Sequence, residues 1–161
     1  MVAIAIIAAL LAAHLPAPRV RTPDELKTLL PSLAHGRPLV VHVCATWCAA
    51  CREEFAKEHK FFDALEKRGV SVVLVWIDEA KTRPAIPKLT ARYHLDRLPA
   101  IVVDAPEPEP VAKALQEPIW DGTLPATFVY DVHQVKLSSF LGSADSGQLD
   151  AAVSEAIRRA K

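Results

Sequence analysis

Two short valine-rich apolar runs, Leu39 to Cys44 and Val70 to Ile77, bracket a stretch from Cys48 to Arg68 that holds neither proline nor glycine. No other feature restricts the fold as much. Continuous apolar runs of this length read as strands buried on both faces, and the stretch between them is long enough for several helical turns. Phe55, Phe62 and Leu65 fall on one connected stripe of such a helix, and Gly69 supplies its stop. Strand, helix and strand in this order make a βαβ unit, which requires parallel pairing and a right-handed crossover. The expected fold class is therefore α/β.

The flanking segments extend this unit. Thr22-Pro23-Asp24-Glu25 has capping-box spacing with proline at the first helical position, and Leu26, Leu29, Leu30 and Leu33 follow at helical spacing before Gly36. Lys81 to Leu95 is expected to form a helix after Pro84 and Pro87, and Leu98 to Val103 a short strand, with Pro99 suited to an edge or a strand start. Asp104 to Gly122 is rich in proline and acid and reads as an excursion carrying at most a short helix near Val111 to Leu115. Ala126 to Tyr130 and Val135 to Leu141 are close enough to form a hairpin. Leu149, Val153 and Ile157 mark a final helix, whose Arg158, Arg159 and Lys161 suit the negative end of its dipole.

At 161 residues the chain has the length of one domain, and 51% hydrophobic with 24% charged residues is ordinary globular usage. Nineteen basic residues cancel nineteen acidic ones. The molecule thus has no overall field to draw it onto nucleic acid, and no GxxxxGK[ST] or GxGxxG string points to a nucleotide. Met1 to Ala13 is entirely apolar; as a helix it reaches roughly 20 Å, short of the ~30 Å hydrocarbon core. Its length fits the apolar region of a secretory signal. Residues 1–18 are therefore expected to be a signal sequence or N-terminal membrane anchor, and 19–161 a folded domain. The expected location is extracytoplasmic, in the periplasm or at the outer face of the membrane.

The three cysteines, Cys44, Cys48 and Cys51, lie too close together to staple a fold. They read as a reactive cluster. Trp47-Cys48-Ala49-Ala50-Cys51 stands where the first buried strand ends and the long helix begins. A cysteine at a helix N-terminus faces unsatisfied N–H groups and the positive dipole end, which lower its pKa from about 8.5 into roughly the 3.5–7.5 range. Cys48 has that place and is the expected attacking thiol. Cys51, one turn on, is near enough to attack a mixed disulfide at Cys48 and is the expected resolving thiol. A zinc half-site is the competing use of a CxxC, but the six histidines are scattered and supply no second ligand pair at motif spacing.

Val40 to Phe55, reading VVHVCATWCAACREEF, resembles the active-site strand and helix of thioredoxin-like proteins, and most of all the exported TlpA/ResA-type thiol-disulfide oxidoreductases. Leu98 to Asp104 and Leu124-Pro125-Ala126-Thr127-Phe128-Val129-Tyr130-Asp131 match two further motifs of that family, and Gly142 fits the glycine after its hairpin. The resemblance implies a thioredoxin-like fold, with a central mixed β-sheet flanked by helices. It implies disulfide exchange with protein substrates in the reductive direction, a membrane electron donor, and a setting such as cytochrome c maturation. It also implies that Pro125, not Pro99, is the cis-proline, that Leu124 offers its backbone to the substrate, and that Glu54 exchanges protons with Cys51. Trp47 would shield the disulfide and form a contact surface. The cofactor expected is none beyond the Cys48–Cys51 redox disulfide, with no metal and no nucleic acid, in a monomer.

His42 occupies the position of the buried acid of thioredoxins and is a candidate proton relay, although a lone core histidine is commonly structural. Cys44, where the family has an aromatic, reads as inert core. Ala56 replaces the family's helix-kinking proline, and the excursion from Ala105 to Gly122, with Glu107, Glu109 and Trp120, is expected to be a solvated loop. Two other functions remain open at this level. One is a copper(I) metallochaperone using Cys44, Cys48 and Cys51, because thiolates are soft ligands; the other is a non-catalytic interaction module built on the excursion.

Overall fold

A computed structural model describes residues 19–160. The expected signal or anchor segment, residues 1–18, lies outside the described residues. Among the described residues no helix is long and apolar enough to cross a membrane.

Among the described residues six strands form one sheet: β1 (Val20–Arg21), β2 (Leu39–Cys44), β3 (Ser71–Ile77), β4 (Ala100–Val103), β5 (Ala126–Tyr130) and β6 (Lys136–Leu141), in the spatial order β1-β4-β3-β2-β5-β6. The βαβ unit is present as expected, with β2 and β3 parallel and paired from Leu39 opposite Ser71 to Cys44 opposite Trp76. β5 runs antiparallel to β2 and forms a hairpin with β6, so the sheet is mixed. The two-residue β1, parallel to β4, is too short for any sequence period to reveal.

Among the described residues five helices cover the sheet: α1 (Pro23–Ala34), α2 (Ala49–Lys67), α3 (Ile86–Arg92), α4 (Glu109–Ala114) and α5 (Ser146–Arg158). Alternation along β2 sorts them into layers. Val40 and Cys44 join the cluster formed by Phe55, Phe62 and Leu65 of α2, Ile86 of α3 and Leu149 and Val153 of α5. Val41 and Val43 join the opposite cluster with Leu26 and Leu30 of α1 and Val111 and Ala112 of α4. Both faces of β2 are therefore dry, which explains its unbroken apolar run. The capping box of α1 is formed, the Glu25 N–H donating to Thr22 Oγ1 at 3.2 Å and the Thr22 N–H to Glu25 Oε2 at 2.8 Å.

Several boundaries differ from expectation. The helix expected within Lys81 to Leu95 after Pro84 and Pro87 is α3, which begins one residue earlier, at Ile86, and carries Pro87 in its first turn, where no N–H is needed; a 3-10 turn at Arg83–Ala85 precedes it. Pro99 precedes β4 rather than lying in it, and β4 is an interior strand between β3 and β1. In α5 the buried residues are Leu149, Val153 and Ala156, while Ile157 is only partly covered.

The excursion is not a solvated loop. Glu107 and Glu109 are exposed as expected, but Trp120 is 4% exposed, edge-on to Phe128 with ring centroids 6.5 Å apart. Its Nε1 donates to the Thr123 carbonyl at 2.9 Å. Glu117 is also buried and accepts from Lys136 Nζ at 2.5 Å and from the Ser139 hydroxyl. An aromatic and a paired carboxylate thus anchor both sides of this proline-rich segment to the β5–β6 hairpin.

Candidate functional site

The sheet places the CxxC at the C-terminal end of β2, where an α/β sheet commonly presents its site. Cys48 is the N-cap of α2, in an extended conformation with φ −76° and ψ 112°, and its Sγ accepts a hydrogen bond from the Cys51 N–H at 3.1 Å. Ser, Thr, Asp and Asn are the usual residues at an N-cap, and here the sulfur takes the place of their oxygen. Cys48 and Cys51 are joined as a disulfide with their Cα atoms 5.3 Å apart. Cys51 is fully buried, whereas Cys48 keeps 7% of its surface and follows Trp47, which is 59% exposed. An incoming sulfur thus meets Cys48 first.

Glu54, three residues beyond Cys51, is buried on the same helix at 6% exposure. Burial pushes its carboxyl up to about 7; the Ala144 backbone N–H pulls in the other direction and the charge of Glu58 adds to the rise. Its Oε2 has no hydrogen-bond partner. Glu53 is exposed, and Arg52 turns back so that its NH1 donates to the Thr46 carbonyl at 2.8 Å.

His42 lies one layer deeper, fully buried, between Phe55 and Phe62 with ring centroids 5.3 Å from each. Its Nδ1 is 3.0 Å from Thr127 Oγ1, and its Nε2 has no partner. Burial lowers its pKa to about 4, so the ring is neutral at physiological pH. Cys44 is a free buried thiol beside the Val75 carbonyl, at 3.8 Å. Burial, then the charges of Asp78 and Glu54, push its pKa well above the usual thiol range. A thiol held protonated in this way is unreactive. Among the described residues no three His, Cys, Asp or Glu side chains converge as a metal site.

The Leu124–Pro125 peptide is cis. Leu124 also borders a groove of about 150 Å³ whose other walls include Trp47, Ile77, Pro106, Val111 and Trp120. Small-molecule sites usually measure about 300–1,000 Å³. This groove is smaller, a size suited to a side chain rather than a cofactor.

Sequence reasoning missed Asp78. It stands just past the end of β3, 2% exposed, and accepts from the Thr46 N–H at 3.0 Å and from the Thr46 hydroxyl at 2.5 Å. An acid directly after a buried strand, at the C-terminal end of the sheet where sites collect, was the signal available for it.

No family model matches the chain. A curated relative, the thiol:disulfide interchange protein DsbE of Tatumella citrea, is 43% identical over 42 residues, 26% of this chain; the match spans only 20% of that relative. Among solved structures, a thioredoxin-family thiol:disulfide interchange protein from Chlorobium tepidum has 23% identity and a TM-score of 0.62, covering 78% of this chain and 83% of that one. A DsbF homologue from Corynebacterium diphtheriae has 18% identity and a TM-score of 0.63, covering 74% and 72%. A secreted Mycobacterium tuberculosis disulfide oxidoreductase homologous to E. coli DsbE has 17% identity and a TM-score of 0.57, covering 77% and 84%. The mixed six-stranded sheet flanked by helices is a thioredoxin-like fold.

Proposed function

We propose that this thioredoxin-fold chain is a thiol-disulfide oxidoreductase that reduces protein disulfides outside the cytoplasm. The observation that carries the reading is the Cys48–Cys51 disulfide at the start of α2, with the Cys48 sulfur on the Cys51 N–H. In the dithiol form, the helix terminus stabilises a Cys48 thiolate, which attacks one sulfur of a substrate disulfide. A mixed disulfide forms and the other substrate sulfur leaves as a thiolate. Cys51 gives its proton to the Glu54 carboxylate and attacks the Cys48 sulfur. The Cys48–Cys51 disulfide closes, the second substrate sulfur is released, and two electrons have passed to the substrate. A membrane dithiol donor then restores the reduced protein by the same exchange.

Glu54 suits this step because a carboxyl with a pKa of about 7 is partly ionised at neutral pH and accepts a proton without holding it too tightly. His42, with its free Nε2, is the second candidate relay. An extended substrate segment is held by Trp47, Leu124 and Pro125, pairing with the Leu124 backbone and lodging a side chain in the adjoining groove. No cofactor takes part, and the chain works as a monomer.

Residues 1–18 act as signal or membrane anchor, and 19–161 form the catalytic domain. The apolar Met1–Ala13 segment supports an extracytoplasmic place, as does the secreted nature of the mycobacterial neighbour. The TlpA/ResA resemblance supports the reducing direction and a setting in cytochrome c maturation, and the DsbE match supports thiol-disulfide interchange.

Insulin reduction with dithiothreitol tests the activity. Turnover is expected, lost in Cys48→Ser, with Cys51→Ser trapping mixed disulfides through Cys48. Adducts formed equally through Cys51 in the Cys48→Ser protein would reverse the two roles. A parallel copper(I) competition titration separates the alternatives: tight stoichiometric copper without turnover would identify a metallochaperone, and neither result an interaction module. An equilibrium potential of about −270 mV supports the reducing direction, whereas one of about −120 mV opposes it.

A further inference from the structure

We infer that Asp78 is a positioning residue for the attacking cysteine, holding the Ala45–Cys48 turn through Thr46 so that the Cys48 sulfur stays on the terminus of α2. The inference rests on the exchange activity proposed above. Both peptide groups of Thr46 are tied: its N–H donates to Asp78 Oδ2 at 3.0 Å, and its carbonyl accepts from Arg52 NH1 at 2.8 Å. Its hydroxyl donates to Asp78 Oδ1 at 2.5 Å. Asp78 is held in turn, because its own carbonyl accepts from Arg83 Nε at 2.9 Å and Arg83 pairs with Asp104 at 2.6 Å. The turn is closed by the Cys48 N–H, which donates to the Ala45 carbonyl at 3.2 Å.

Hydrogen bonds to a carboxylate are stronger than neutral ones, and at 2% exposure water competes little for them. The clamp bears on chemistry because Cys48 is an extended residue whose sulfur meets the Cys51 N–H at 3.1 Å. A modest rotation of the turn carries the sulfur off that donor. Asp78 has no covalent step of its own; it acts through Thr46.

The test uses the reduced protein and the pH dependence of Cys48 alkylation in Asp78→Ala, Asp78→Asn and Thr46→Val. Asp78→Ala is expected to raise the Cys48 midpoint by about one pH unit, leaving about tenfold less thiolate at a pH below both midpoints. A more basic thiolate is about threefold more nucleophilic, so insulin reduction there slows about threefold. Thr46→Val loses one bond and shifts the midpoint less, in the same direction. Asp78→Asn restores it, because the amide oxygen accepts the Thr46 N–H while its NH2 donates to Thr46 Oγ1.

An unshifted midpoint in natively folded Asp78→Ala overturns the inference, as does an Asp78→Asn protein whose midpoint rises as far as that of Asp78→Ala, since the amide keeps both bonds to Thr46 and loss of a negative charge would lower a thiol's pKa rather than raise it. If Asp78→Ala does not fold, Thr46→Val decides in the same way. Alkylation needs no substrate, so a wild type that fails to reduce insulin would overturn the proposed activity while the Cys48 titration still reads out the clamp.

Discussion

Two buried titratable groups share the layer between β2 and α2, and their effects on stability have opposite signs. Glu54 has its carboxyl raised from 4.5 to about 7 by burial, so the folded protein holds this proton more tightly than the unfolded chain. Its contribution is silent below pH 4.5, falls as pH rises towards 7, and above that costs about 3 kcal/mol. His42 is lowered from 6.5 to about 4 by burial, so the unfolded chain binds that proton more tightly. It costs nothing above pH 6.5 and costs about 3 kcal/mol once the pH has fallen to 4. Over about pH 4.5–6.5 the two slopes cancel. Glu54→Gln in the oxidised protein should therefore unmask a stability that rises with pH, read from urea midpoints across this window. A profile parallel to that of the wild type would make Glu54 a solvated residue. The placement of Cys48 and Cys51 at the start of α2 was legible in sequence because three residues along a helix fix their side. The pKa shifts were not, because desolvation depends on Phe55, Phe62 and neighbouring strands that sequence does not place.

At the scale of single elements, local chemistry set most boundaries. α2 spans Ala49–Lys67 with Gly69 beyond it at φ +79°, close to the stretch defined by its apolar stripe and its freedom from proline. α1 is held at its start by the reciprocal Thr22–Glu25 bonds, and it packs Leu26, Leu30 and Ala34 against the sheet. Thr22→Ala should lower stability by about 1 kcal/mol, seen as a lower urea midpoint with an unchanged slope. No loss would mean that packing alone holds that helix end. The site should keep its proposed activity in this variant, since α1 lies on the face of the sheet opposite α2. What could not be read locally was β1, whose existence depends on pairing Val20 and Arg21 with Val102 and Val103, far along the chain.

Across the whole molecule, the excursion between β4 and β5 links the site to the far hairpin. Trp120 lines the groove beside Trp47, while Glu117 holds Lys136 and Ser139 of β6. Burial acts to raise the Glu117 carboxyl, but Lys136 and Ser139 outweigh it and hold the group below its ordinary value. Glu117→Ala leaves Lys136 and Ser139 without this partner and should cost about 1–3 kcal/mol. Limited proteolysis should then cut within residues 105–122 faster than in the wild type. An unchanged cleavage rate would show that the Glu117 contacts are not what anchors the segment.

Taken by itself, the sequence determined the βαβ unit, the oxidisable cysteine pair at its junction and the helix face carrying Glu54. These follow from periodicity, capping and residue chemistry within one turn or one strand. The tertiary structure alone decided that Trp120 and Glu117 are buried, that Arg52 returns to Thr46, and that Asp78 meets Thr46 across the ends of β2 and β3. Each depends on strand order and on which elements share a face, and a chain's local pattern carries no record of the neighbour that will desolvate a group or accept its proton.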